Sequence, residues 1–228
     1  VDYMNLNVRH VAATNTGGSS HMIHMAHAAQ AIAAGKCSVA LITLAGRPRS
    51  QGQERGMIPR ADNPLQPDFQ WENPYGITTL NIYAMVAMRH MYEFGTTSEQ
   101  LAWVKVACSH HAQHNPNAML RDVVTVEDVV NSPMVSDPLH RMDCCVVSDG
   151  GGALVVTSKE VAKSLKRPMV KLIGAGEAPK GQMAGAVDLS YSGAAWSGPR
   201  AFAEAGVSQA DIKYASIYDS FTITVVMQ

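Results

Sequence analysis

The order of patterns along the chain predicts an α/β fold. A strand, a glycine turn, a helix and a second strand fill the first 44 residues. Capped helices follow a long polar loop, and short apolar runs return after residue 143. Residues 8–13 read as a short strand. Gly17-Gly18 supplies a turn whose backbone angles other residues resist, and Ser19 or Ser20 caps a helix running to Ala34, where Gly35 stops it. Residues 39–44 form an apolar run suited to a buried strand.

Residues 47–73 change texture, with prolines, glycines, asparagines and charges in a long loop of the kind that usually carries function. A helix is expected over 78–94, ended by Gly95, with Ile82, Met85, Val86 and Met91 spaced for one face. Ser98 is the expected cap of a second helix through His114, and Thr125 that of a short third one. Strands are then expected at 144–148 and 153–157, joined by a tight turn at Asp149-Gly150-Gly151-Gly152, and another at 169–174. Ser197-Gly198-Pro199 opens a helix to Ala205, with proline in its first turn. A final strand over 214–217 leads into Tyr218-Asp219-Ser220-Phe221. The pattern suggests two similar α/β halves, before and after residue 165.

Composition narrows the functional classes. Hydrophobic residues make up 46% and charged residues 16% of the 228, which fits a folded globular chain. The net charge of -1 gives nucleic-acid binding little electrostatic support. No stretch approaches the roughly 20 apolar residues that span a bilayer, and no signal peptide is read at the start. The four cysteines, Cys37, Cys108, Cys144 and Cys145, lack metal-ligand spacing and are expected as reduced thiols of a cytoplasmic protein. Cys144 and Cys145 are expected to be mostly buried and structural. The chain begins without methionine, and the apolar run 223–228 reads as an uncapped strand, so part of a longer sequence is expected.

Two segments carry candidate chemistry. In Asn15-Thr16-Gly17-Gly18-Ser19-Ser20-His21, a glycine turn at a helix N-terminus presents backbone N–H groups to an anion or a developing oxyanion. An ordinary tight turn would look the same. His21, His24 and His27 fan out around the helix and have no local cysteine or carboxylate, so packing or solvent exposure is expected and metal binding is not. Tyr218-Asp219-Ser220-Phe221 follows an expected strand, where α/β sheets place ligand-lining residues. With an unperturbed pKa near 10, Tyr218 is a poor base at neutral pH. It is equally a strand-end tyrosine with a satisfied hydroxyl. Gly174-Ala175-Gly176 lacks the third glycine of a dinucleotide motif.

Together these segments resemble the thiolase superfamily, most of all its sterol-carrier/lipid-transfer branch, over nearly the whole chain. Residues 15–35 are similar to the family's nucleophile turn and helix. His114-Asn115-Pro116-Asn117-Ala118 is similar to a loop-domain motif of that branch. Ser132-Pro133, Pro138-Leu139, Asp143-Cys144-Cys145 and Ser148-Asp149-Gly150-Gly151-Gly152-Ala153 resemble the passage into the last strands of the first half. Ser197-Gly198-Pro199 and Tyr218-Asp219-Ser220-Phe221 resemble two landmarks of the second half. The resemblance implies two similar βαβαβαββ halves in five layers (αβαβα), with a mostly helical loop domain inserted in the first half. The division would be 1–46 and 138–164 for the first half, 47–137 for the loop domain and 165–228 for the second half. It also implies a coenzyme A thioester as substrate, no covalently bound cofactor, and a homodimer formed through the strand at 8–13.

The departures from the family bear most on chemistry. The acyl-accepting cysteine falls at Gly18, which has no side chain to acylate. The position that usually holds asparagine or histidine holds Tyr218, and the family's later histidine and second cysteine would lie beyond Gln228. The leading expectation is an acyl-CoA enzyme of aldolase type. In it the Gly18 amide binds the thioester oxygen, Tyr218 acts as acid or base, and a small accessory subunit assists, as in relatives from sterol breakdown. Asn15, Gly17, His21, Asp219, Ser220 and Phe221 would line the substrate. One alternative is an acetyl-CoA acetyltransferase-like enzyme using Ser19, Ser20 or another nucleophile. The other is a non-catalytic acyl-CoA or lipid binder.

Overall fold

Local capping chemistry sets most of the helices. The computed structural model describes residues 2–14, 16–52, 73–76, 78–181 and 187–228. They cluster into two units, one of Val1–Arg47, Asp149–Glu177 and Trp196–Lys213, the other of Pro48–Ser148, Ala178–Ala195 and Tyr214–Gln228.

In the first unit, helix α1 (Ser20–Ala33) packs on an antiparallel pair of strands, β1 (Val39–Gly46) and β4 (Gly150–Thr157). The helix presents Ala26, Ala28 and Ala31, small side chains that let it sit close, and Ile42 of β1 is buried. The register runs from Val39 opposite Thr157 to Gly46 opposite Gly150. The glycines 150–152, expected as a hairpin turn, are therefore part of the strand. A Cβ on Gly151 would come within 2.8 Å of the Ala45 Cβ, so this close cross-strand approach needs glycine. Helix α5 (Lys159–Ser164) follows β4, its first turn capped by the Ser158 hydroxyl.

The second unit is mainly helical. Helix α2 (Thr79–Phe94) starts where the Thr78 Oγ1 accepts from the Asn81 N–H and ends at Gly95, whose φ of 67° closes the last turn. Helix α3 (Ser98–Ala112) opens with a capping box between Thr97 and Gln100, so the cap is Thr97 and not Ser98. Thr125 and Asp128 form the same device at α4 (Val126–Val130). Two short strands, β2 (Met134–Ser136) and β3 (Leu139–His140), pair antiparallel. Helix α6 (Ala194–Ala205), which lies in the first unit from Trp196 on, starts three residues before the expected Ser197, with Pro199 inside it. Helix α7 (Thr222–Val226) closes the chain.

The core of this unit is Ala84, Val86, Ala87, Leu101, Leu139, Phe221 and Ile223, with Tyr83 and Met91 packed against it. The buried stripe of α2 thus follows its alanines, while Met85, expected inside, is exposed. Small residues bring the neighbouring helix close enough to bury them, and a long unbranched methionine one position over is left outside.

Several expected strands are absent from the described residues. Residues 8–13, 144–148, 169–174 and 214–217 have no ladder partner, apart from a single bridge between Cys144 and Phe221. Strand propensity without a paired neighbour does not make a strand. The apolar ending expected as a strand is α7, where Ile223 turns into the core. Cys145 is exposed and Cys144 half-buried, against the expectation that both are buried in a strand.

Asp143 is 4% exposed and accepts at 2.8 Å from the Thr222 hydroxyl and at 2.8 Å from the His140 backbone N–H. Thr222→Val should therefore lower unfolding free energy in urea by about 1–3 kcal/mol, because a buried carboxylate loses a donor. Val226→Ala, an exposed position on the same helix, should cost well under that.

Candidate functional site

The two candidate segments lie in different units. The first is the turn into α1. Gly17 adopts a φ of 78°, a conformation that favours glycine and reverses the chain just before the helix. The Ser20 hydroxyl then fastens the turn, donating to the Gly17 carbonyl at 2.7 Å and accepting from the Thr16 N–H at 2.8 Å. Ser20 is buried and engaged, whereas Ser19, the N-cap residue, is exposed and makes no side-chain cap bond. Gly18, just before Ser19, sits half-buried at the positive end of a 14-residue helix. The His21 Nδ1 and His24 Nε2 atoms are buried and have no hydrogen-bond partner among the described residues, and His27 Nε2 lies 3.1 Å from Glu177 Oε1. Asn15 falls outside the described residues.

The second segment enters α7. Phe221 is 4% exposed and stacks on Tyr83 of α2, with ring centroids 4.5 Å apart. Its side chain therefore belongs to the core. The Ser220 carbonyl accepts from the Cys145 N–H at 3.0 Å, and its hydroxyl pairs with Thr224 at 2.9 Å. Gln228 donates to the Tyr218 carbonyl at 3.0 Å. These bonds leave the side chains of Tyr218 and Asp219 on the exposed side of the segment.

Around Tyr218 the structure gathers groups the sequence did not connect. Burial of its hydroxyl, then the neighbouring Cys145, Tyr83 and Asp219, push its pKa above the ordinary tyrosine value. Cys108 of α3 donates its thiol to Asp219 Oδ2 at 3.7 Å. Burial and the Asp219 charge raise the Cys108 pKa, with Lys105 opposing. Cys108 and Tyr83 were not read as site residues. Each lies more than a hundred positions from its partner here, and no local motif links them. At neutral pH the cluster is thus a phenol and a thiol, both protonated, beside one carboxylate. It suits donating a proton better than removing one.

Among the described residues no three His, Cys, Asp or Glu side chains converge to hold a metal ion, and no helix is long and apolar enough to cross a membrane.

Residues 175–228 match the family model for a thiolase C-terminal domain-like region. Over 231 aligned residues the chain is 33% identical to a steroid side-chain-cleaving aldolase of Thermomonospora curvata, covering 93% of this chain and 57% of that protein. Over 163 residues it is 37% identical to an acetyl-CoA acetyltransferase of Methanothermobacter thermautotrophicus, covering 70% of this chain and 42% of that one. Among solved structures, an Ltp2-ChsH2(DUF35) aldolase superposes with a TM-score of 0.81 at 32% identity, over 93% of this chain and 56% of that one. The chain belongs to the thiolase superfamily. Its fold is α/β and thiolase-like. It spans about half the length of the thiolase relatives it matches.

In this thiolase-superfamily chain the four thiols differ in environment. Iodoacetamide at pH 8 should label exposed Cys145 well before Cys108. The Cys108 rate should keep rising above about pH 9, where an ordinary thiol has largely ionised, because a raised pKa delays the thiolate. Peptide mapping against time and pH measures both.

Proposed function

We propose that the chain belongs to an acyl-CoA enzyme that makes or breaks a carbon–carbon bond by aldol chemistry. The supporting observation is the turn at Gly18. The position where this family carries its acyl-accepting cysteine has no side chain, and the adjacent Ser20 hydroxyl is already spent on two backbone bonds. What the turn still offers is a helix N-terminus, which stabilises negative charge on an oxygen. Similarity to the steroid side-chain-cleaving aldolase and to the Ltp2-ChsH2(DUF35) aldolase supports the same reaction class.

In the cleavage direction the substrate is a 3-hydroxyacyl-CoA. Its C3 hydroxyl loses a proton to water, the C2–C3 bond breaks, and the electron pair moves onto the thioester oxygen as an enolate; water later returns a proton to the Tyr218 phenolate left after donation to C2. The Gly18 N–H holds that oxygen. C2 then takes a proton, giving a carbonyl product and a shortened acyl-CoA, so the proton lost at the hydroxyl balances the one gained at carbon. Tyr218 is the proposed proton donor: a phenol is protonated at neutral pH, and its raised pKa extends the protonated range upward. Asn15, Gly17 and His21 would surround the thioester, Asp219 and Ser220 would flank Tyr218, and Phe221 would anchor that segment in the core. No covalently bound cofactor is needed; coenzyme A enters as part of the substrate.

The match to an acetyl-CoA acetyltransferase favours a second reading, acyl transfer through exposed Ser19. Ser20 suits that role less. In a third, the chain binds an acyl-CoA or a lipid without turnover. The proposed assembly is a homodimer with a small accessory subunit; the Ltp2-ChsH2(DUF35) aldolase and a benzoylsuccinyl-CoA thiolase subunit are relatives whose names speak of more than one component. Free cysteines fit a cytoplasmic location. The thiolase halves at 1–46, 138–164 and 165–228, with a loop domain at 47–137, remain the proposed division.

Turnover of 3-hydroxyacyl-CoAs by the intact protein, with any copurifying subunit, tests this. Tyr218→Phe should lower kcat by about 100-fold or more. Activity should hold through neutral pH and fall only above pH 10, where the donor ionises. Intact-mass spectrometry should show no acyl adduct. A stable adduct on Ser19 would establish acyl transfer instead, and binding without turnover would establish the third reading.

A further inference from the structure

We propose that Cys108 is a positioning residue whose thiol, donated to Asp219 Oδ2, fixes the carboxylate next to Tyr218. This rests on the reading of Tyr218 as the proton donor. Three separate elements meet at the cluster: α3 brings Cys108, α2 brings Tyr83, and the segment entering α7 brings Tyr218 and Asp219, with Cys145 beside them. Each element is held independently. Phe221 on Tyr83 fixes α2 against the segment, the Cys145 N–H fixes the Ser220 carbonyl, and the Thr97–Gln100 box starts α3.

A carboxylate on an exposed segment has several rotamers open to it, and water competes for its oxygens. The 3.7 Å bond from Cys108 selects one of them. The thiol suits this task because burial and the Asp219 charge keep it protonated, and a thiolate would repel the carboxylate it has to hold. The groups that face the pair are Lys105 from α3, Tyr83 from α2, Cys145, and Tyr218 itself. Only Lys105 is cationic, and it opposes the rise at Cys108 without reversing it. Burial is the largest cause of the rise at Tyr218, followed by Cys145 and Tyr83; with Asp219 held, its negative charge adds to them in disfavouring the phenolate. Cys108 thus acts on the reaction through Asp219 and touches no reacting atom.

The test separates positioning from catalysis. Tyrosine labelled with ¹³C at Cζ reports each phenol by NMR, and Tyr218→Phe identifies the Tyr218 resonance. In the intact wild-type protein that resonance should titrate above free tyrosine. In Cys108→Ala and in Asp219→Asn the midpoint should fall toward free tyrosine, and in Cys108→Ser, which restores a donor, it should return toward wild type. With a 3-hydroxyacyl-CoA, Cys108→Ala should lower kcat roughly tenfold and leave KM within about twofold, with the alkaline limb of the profile moved to lower pH. An unchanged Tyr218 midpoint in Cys108→Ala, alongside a lowered one in Asp219→Asn, would overturn the role of Cys108 even if Tyr218 is catalytic. Full turnover in Tyr218→Phe would overturn the catalytic reading while leaving the titration result to stand or fall by itself.

Discussion

The bond from the Thr222 hydroxyl to Asp143 joins two segments 79 residues apart, and the second unit depends on it. Neither group reaches water, so each requires the other. The carboxylate also accepts from the His140 N–H, which holds the turn after β3 against the start of α7. Phe221 and Ile223 on either side enter the core, and the Cys145 N–H reaches the Ser220 carbonyl. With residues 221–223 pinned inside, the two residues before Ser220 have one direction left. Tyr218 and Asp219 are exposed because the next few residues are not.

The first unit arrives at a prepared turn by different means. Among the described residues no large buried side chain of the turn or of α1 anchors it. A single hydroxyl, Ser20 Oγ, donates to the Gly17 carbonyl and accepts from the Thr16 N–H, tying the helix start back to the chain before Gly18. The α1 face below is alanine, so the helix is set by close approach to β1 and β4 and not by bulk. The same economy recurs at Gly174 and Gly176, where an added Cβ would collide with the backbone of Ala201 and Ser197 in α6. What looked like the start of a dinucleotide motif is a place where chain and helix touch. At Gly18 the turn presents only backbone, which suits that position to hold charge on an oxygen and unsuits it to form a covalent bond.

Local signals were legible and non-local ones were not. Caps involve residues three apart, so Thr125 and Gly95 marked their helix ends from sequence, the start expected at 78 turned out to be the Thr78 cap itself, and Thr97 was missed by one position beside an equally good serine. The glycine run 150–152 misled because glycine signals a turn when read alone. Only the strand opposite, with Ala45 facing Gly151, shows why glycine belongs in a strand. The apolar runs at 169–174 and 214–217 have strand composition and no ladder among the described residues, since pairing depends on a distant segment. The candidate site divided in the same way. Gly18 and Tyr218 stood out against the thiolase pattern, because a substitution is visible in one dimension. Cys108 and Tyr83 reach the second segment only through folding.

On the proposed reading, the missing side chain at Gly18 and the protonated groups at Tyr218 and Cys108 belong to one chemical logic. Acyl transfer through the enzyme needs a thiolate, and a cluster that supports it lowers a thiol's pKa with cations or a helix terminus. Here the thiol bonded to Asp219, Cys108, is driven the other way by burial and by Asp219, and the pKa of Tyr218 is raised as well. Aldol cleavage asks for no covalent intermediate. It asks for charge held on an oxygen and a proton delivered to carbon after the bond breaks. A donor that ionised too readily would lose its proton to solvent at neutral pH. Burial is the first cause of both rises and Asp219 adds to each, less than Cys145 and Tyr83 do at Tyr218, so on the proposed reading the surroundings that make Cys108 a poor nucleophile also make Tyr218 a better-kept acid.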